Sequence, residues 1–293
     1  MEAIQVTPAW SEIGLKRHVQ SWVHLLSLRK RQFTGLRSRT PVLIERENIL
    51  VKTVETFSEL EAALKLRHRV YREEYDIPEM PYELDLDAYD SRCDHLVIIN
   101  KRSGEIIGTY RLLCSDRHDQ FYSESEFDLT GLIHLRGTKV ELGRACIASE
   151  HRTGATLALL WRGILSYCQQ AGASYLFGCS SVKVTEPREV ARLVLKLQAS
   201  GHLVDQLSTS PRGKYRMEEL PALIEQERDL GFGSELGGGR TAPISPLLLT
   251  YLKAGAKIQG MPALDRDFHC IDFLTLLDLR ELSSAYERKF GTA

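Results

Sequence analysis

From Ser58 onward the apolar positions fall at helical spacing. Leu60, Ala63, Leu64, Arg67 and Val70 keep helical period to about Tyr75, a stripe that predicts an amphipathic helix. Ser58-x-x-Glu61 has the form of a capping box at its start, and Pro78 and Pro81 end it. The period then shortens. His95 to Asn100 and Ile106 to Cys114 flank a Lys101-Arg102-Ser103-Gly104 turn and read as a β-hairpin. A polar connection containing Phe121-Tyr122-Ser123-Glu124 leads to an apolar, β-prone run, Lys139 to Ala148, interrupted by Glu141, Gly143 and Arg144. A glycine inside a strand often marks a bulge or a close backbone approach. Leu157, Leu160, Trp161, Ile164, Leu165 and Cys168 form the stripe of a second helix, and Tyr175 to Cys179 a fourth short strand. Pro187 opens a third helix, buried through Val190, Leu193, Val194 and Leu197. Residues 200–240, with Gly231, Gly233 and Gly237-Gly238-Gly239, predict a flexible, partly helical insertion. A last helix, Leu247 to Ala256, precedes strand-like segments from Lys257 to Leu277.

Composition narrows the class. The 293 residues are 43% hydrophobic with a formal charge of -1, enough apolar material for one enlarged core with appendages. The chain reads as a basic amphipathic segment over 1–50 followed by one domain over 51–293 that carries the insertion at about 200–240. Residues 14–39 hold seven Lys and Arg, Lys16, Arg17, Arg29, Lys30, Arg31, Arg37 and Arg39, and no acid, while Leu15, Val19, Trp22, Val23 and Leu26 keep helical period. Two readings stand for that segment: a helix lying in a membrane interface, or a helix packed on the core with its basic face solvated. Nothing downstream extends the basic patch, so nucleic acid is not an expected partner. Six cysteines without a C-x-x-C pair read as reduced core residues. With no run of ~20 apolar residues and no secretion signal, the expected location is cytoplasmic, or peripheral on the inner membrane.

A strand fit for burial keeps two charges only if they pair or work, and Glu141 with Arg144 supports both readings equally when taken alone. The surrounding residues resemble a family. Leu66, Arg69, Val70-Tyr71 and Glu73-Glu74-Tyr75 are followed by an acidic loop with Asp87-x-x-Asp90, then by Cys93-Asp94-His95-Leu96 and Gly108-Thr109-Tyr110-Arg111-Leu112-Leu113. Phe121-Tyr122-Ser123-Glu124-x-Glu126-Phe127 and Glu141-Leu142-Gly143-Arg144-Ala145-Cys146 come next, with Pro262-Ala263-x-Asp265, Phe268 and Asp272 further on. In order and spacing these motifs resemble the bacterial ornithine-lipid-forming N-acyltransferases, which use acyl carrier protein as donor and are related to N-acyl amino acid synthases and acyl-homoserine-lactone synthases.

The resemblance implies an α/β (α+β) GNAT-like fold, a mixed central sheet with flanking helices and a splayed pair of central strands. It implies transfer of a long acyl group, with or without a 3-hydroxyl, from acyl carrier protein to the α-amino group of ornithine. Glu141 would be the general base, with Arg144 beside it. Arg69, Asp87, Asp90 and Arg111 would bind the acceptor. Ala145, Cys146, Ile147, Arg152, Gly154 and Cys179 would line the thioester and pantetheine path. No metal or resident cofactor is expected, and the expected partners are acyl carrier protein, the amino acid and a membrane surface. His151-Arg152-Thr153-Gly154-Ala155-Thr156 fits the Q/R-x-x-G-x-G/A pyrophosphate loop only in part, which suits a carrier-protein arm and leaves acyl-CoA open. No histidine has Asp five positions on, so the H-x-x-x-x-D site of lipid O-acyltransferases is absent. Another amino acid acceptor, or a non-catalytic GNAT-like lipid or carrier-protein binding module, are the competing readings.

Overall fold

The computed structural model describes residues 38–75, 81–232 and 241–282. The basic helix expected within residues 14–39 therefore lies almost wholly outside the described residues, as does the end of the glycine-rich stretch. Before the first expected helix stands a hairpin the apolar pattern did not announce, β1 (Leu43–Arg46) and β2 (Ile49–Thr53). β1 is a short edge strand with mostly exposed residues, so it carries no alternation to read. Helix α1 spans Phe57–Tyr75. Its capping box sits two residues earlier than expected: the Thr56 hydroxyl accepts the Glu59 N–H, and the Glu59 carboxylate accepts the Thr56 and Glu55 N–H groups. Glu59 also binds Lys52 of β2, which ties the start of the helix to the sheet.

The remaining elements follow the expected order: β3 (Asp94–Asn100), β4 (Ile106–Cys114), β5 (Thr138–Ile147), α2 (Gly154–Gln170), β6 (Ala173–Val182) and α3 (Pro187–Ala199). Then come β7 (Leu203–Val204), α4 (Leu220–Asp229), α5 (Pro246–Ala254), β8 (Lys257–Gln259), β9 (Ala263–Asp265) and β10 (Cys270–Asp278). Among the described residues the strands form one mixed sheet in the order β1-β2-β3-β4-β5-β6-β10-β8-β7, with β9 paired to β10. The described part of 200–240 is built into the fold instead of hanging loose. β7 pairs with β8, and α4 buries Leu220 and Ile224. Its buried Glu227 receives Arg188 and Arg192 of α3.

Side-chain alternation assigns the two faces of the sheet. Leu96, Ile98, Tyr110, Leu112, Val140 and Leu142 pack with Leu160, Trp161, Ile164 and Tyr167 of α2 and with Tyr251 of α5. Val97, on the opposite face, packs with Leu60, Ala63 and Leu64 of α1, and Cys146 packs with Leu66, Val70 and Tyr71. The sheet is thus covered on both sides, and its centre opens. β5 and β6 pair in parallel from Thr138↔Ala173 to Glu141↔Phe177 and no further. Beyond that point β5 stays with β4 to Gly108↔Ile147, and β6 stays with β10 to Val182↔Ile271. The two strands splay. At the apex a Cβ on Gly178 would lie 2.2 Å from the Leu142 carbonyl oxygen, so only glycine permits the strands to close there.

Candidate active site

The splay is lined by a run of β5 that leaves regular geometry. Arg111↔Gly143 and Thr109↔Cys146 pair across β4 and β5, so β5 has one residue more than its partner: a bulge immediately after the glycine. Arg144 occupies it with φ +53°, a left-handed conformation that costs a non-glycine residue about 1–3 kcal/mol. The turn places its guanidinium 3.1 Å from Asp87 and 3.3 Å from Asp85, over the rings of Tyr122 and Phe268 at 5.1 and 5.9 Å. Burial works against the charge of Arg144, and Asp85, Tyr122 and Asp87 outweigh it, so the group stays protonated.

Glu141 and Arg144 do not pair with each other. The bulge turns them apart, and Glu141, fully buried, is held by the 121–124 turn. Its Oε1 accepts the Ser123 N–H at 2.7 Å and hydroxyl at 2.6 Å, and its Oε2 accepts the Tyr122 N–H at 2.8 Å. Burial raises its pKa more than these donors lower it. A lone pair of Oε2 is left for one more partner.

The acidic loop is a buried scaffold. Arg67, 1% exposed, bonds Asp85 and Asp90 at 2.6 Å each, and Arg111 bonds both oxygens of Asp87 at 2.7 Å. Burial would raise the Asp90 carboxyl, yet Arg67 and Arg111 hold it far below the usual range. The arginine of this helix that meets the acidic loop is Arg67, two residues before Arg69. Arg69 is more than half exposed, 3.9 Å from Glu150, and does not line the cavity, because a two-residue step on a helix crosses to another face. Asp87 and Asp90 stand behind Arg111 and Arg144 instead of reaching the cavity themselves.

A cavity of about 560 Å³ runs through the gap. Val70, Tyr71, Arg111, Glu141 and Cys146 line it from the α1 face, and Tyr110, Leu142, Leu157, Leu160 and Leu247 from the α2 face. Arg144, Ala145, Ile147, Arg152, Gly154 and Cys179 also line it. Gly154 opens α2 behind the cap Thr153, whose hydroxyl accepts the Thr156 N–H. Arg152 bonds the Ile147 carbonyl at 3.0 Å and pairs with Glu74. Burial pushes the Cys146 thiol up to about 12 and the Cys179 thiol well above its ordinary value. Neither is a ready nucleophile.

At the polar end lies a group of carboxylates given no role by the sequence reading. Glu126, Asp265 and Asp272 bring ligand oxygens within 4.8 Å of one another. All three are buried and line the cavity. Their recorded donors are neutral: Ser181 to Asp272 at 2.6 Å, the Asp267 and Phe268 N–H groups to Asp265, and the Cys179 thiol to Glu126. Burial first, then their mutual repulsion, raises Glu126 and Asp272. Once ionised, three converging carboxylates attract a cation. The signal that could have found it is the one that exposed Glu141, a carboxylate inside an apolar strand, as in Cys270-Ile271-Asp272-Phe273. Tyr71 and Tyr75 meet Phe268 edge-on at 6.2 and 5.6 Å and line the same cavity.

A family model described as an acetyltransferase (GNAT) domain matches residues 66–162. An L-ornithine N(alpha)-acyltransferase of Rhizobium meliloti (strain 1021) is 31% identical over 261 residues, covering 83% of this chain and 84% of the relative. One of Agrobacterium fabrum (strain C58) is 32% identical over 249 residues, covering 80% and 82%. Among solved structures, an N-acyl amino acid synthase from uncultured soil microbes is 10% identical, covers 81% of this chain and 95% of that one, and gives a TM-score of 0.45.

Proposed function

We propose that this chain, which belongs to the L-ornithine N(alpha)-acyltransferase family, moves a long fatty acyl group, with or without a 3-hydroxyl, from acyl carrier protein to the α-amino group of ornithine, forming a lyso-ornithine lipid. The observation that carries the reading is the cavity crossing the sheet at the β5/β6 splay, apolar toward α2 and lined by charged groups toward α1. A thioester and an amine can reach one gap from opposite faces, which is what an amide-forming transfer requires.

In this reading the pantetheine arm follows Ala145 to Ile147 on β5, and its phosphate meets Arg152 and the first turn of α2, where N–H groups and the helix dipole favour an anion. The acceptor's carboxylate faces Arg144 and Arg111. Its side-chain ammonium enters the Glu126, Asp265 and Asp272 trio, which forms no ion pair among the described residues and whose raised Glu126 and Asp272 carboxyls an entering cation draws toward ionisation. That leaves the α-amine toward the gap. Glu141 takes a proton from the α-ammonium, directly or through water, at the free lone pair of Oε2, and burial has raised its pKa toward that task. The freed nitrogen attacks the thioester carbonyl, and N–H groups in the unpaired stretch of β5 face the oxyanion. The C–S bond then breaks, and the departing thiolate takes up the second proton, which the attacking nitrogen sheds as the amide forms.

Carrier protein is favoured as donor because the loop opening α2 fits the pyrophosphate pattern only in part. The basic residues 14–39, outside the described residues except at their end, would hold the enzyme on the membrane that receives its product. The test is purified protein given acyl-carrier-protein or acyl-CoA thioesters with a panel of amino acids. Fastest acylation of ornithine from the carrier protein is expected. A faster reaction with another amino acid, or with acyl-CoA, would overturn the corresponding half of the reading.

A further inference from the structure

Two paired phenols stand between two cavities, one lining the apolar arm and the other a smaller space. Tyr110, 3% exposed, lines the arm, and its hydroxyl lies 2.5 Å from that of Tyr251 on α5. The Tyr251 ring is fixed in turn by an edge-on contact with Trp161, 5.3 Å between centroids. Tyr251 lines a second cavity of about 20 Å³ together with Leu142, Leu176, Gly178 and Ala256 among others. Leu142 and Cys179 line both spaces. Two phenols that satisfy each other inside an apolar region form a stiff partition, because withdrawing either one leaves a buried hydroxyl without a partner.

We propose that Tyr251, clasped to Tyr110 and backed by Leu142, is the stop that sets the longest acyl chain the enzyme accepts. This rests on the acyl-transfer reading and adds to it the residues that measure the chain. The terminal methyl of the preferred acyl group abuts the phenol pair, and a longer chain must displace it at the cost of packing and a hydrogen bond. Removing the Tyr251 ring joins the two cavities and lengthens the arm, whereas removing its hydroxyl alone leaves the wall standing.

The experiment supplies the full-length enzyme and ornithine with an equimolar series of acyl-carrier-protein thioesters differing by two carbons, and reads the product lengths by mass spectrometry. Tyr251→Ala is expected to move the preferred chain up by about two carbons, with kcat/KM for the longer donor rising about tenfold or more relative to the parent length. Tyr251→Phe is expected to keep the wild-type profile. Leu157→Phe, which adds bulk inside the arm, is expected to move the profile to shorter chains and stands as the test should Tyr251→Ala fail to fold. An unmoved profile in folded Tyr251→Ala, or in Leu157→Phe, overturns the proposal. A wild-type enzyme that acylates no amine from any donor overturns the acyl-transfer reading, and the length stop falls with it.

Discussion

Glu141 and Glu126 are both buried carboxylates with raised pKa values, yet they differ in what holds them. Glu141 is gripped by three donors of the 122–123 turn, a geometry that keeps one lone pair aimed and available. Glu141→Gln keeps the shape and removes the basicity, so kcat should fall by about 10²–10⁴-fold, while carrier-protein binding, followed by gel-shift, stays intact. An unchanged rate would remove Glu141 as base. Glu126 has neighbours of its own sign. Folding raises its pKa from the ordinary 4.5 to about 9, so the folded chain holds the proton more tightly than the unfolded one. Its stabilising effect is complete below about 4.5 and is lost as pH rises toward 9. Glu126→Gln, which never ionises, should therefore raise the melting temperature more at pH 8.5 than at pH 5. A gain that is equal at both pH values would contradict the raised pKa.

Among the elements, the loop from Asp85 to Asp90 holds the site from behind its lining residues. Its three aspartates neutralise Arg67, Arg111 and Arg144, and the latter two reach the cavity. Taking one partner from a buried ion network leaves the other charge uncompensated, so Asp90→Asn should cost about 3–5 kcal/mol, measured by chemical denaturation. Had the aspartates served only the acceptor, the loss would appear in KM with stability unchanged. The periodicity of α1, α2 and α3 and the β3/β4 hairpin were legible because each buries one regular face. The β1/β2 hairpin was not, since an exposed edge strand leaves no pattern. Helical spacing set Arg67 on the apolar stripe with Leu60, Leu64 and Val70, and the structure buries it there, whereas the family resemblance had pointed to Arg69, which lies on an exposed face. Gly143 did announce its bulge, but the left-handed turn at Arg144 that separates it from Glu141 depends on tertiary pairing with β4.

At the scale of the whole molecule the motifs from Leu66 to Cys146 and those around Asp265 and Asp272 are far apart in sequence and meet at one gap. Order along the chain pointed to the family, while the convergence of Glu126 with Asp265 and Asp272 required the antiparallel return of β10 beside β6. The basic stretch 14–39 belongs to this scale too. Removing residues 1–40 should abolish cosedimentation with anionic vesicles and leave sedimentation with neutral ones unchanged; undiminished binding would remove the membrane role. The central claim, amide formation at one particular nitrogen of ornithine, is reached most directly by one measurement: purified wild-type enzyme, acyl-carrier-protein thioester and ornithine labelled with ¹⁵N at the α position, with the product fragmented by mass spectrometry. Acyl groups carried on the labelled nitrogen are predicted. Acylation of the side-chain nitrogen, or no acylated ornithine while the thioester is consumed, would contradict it.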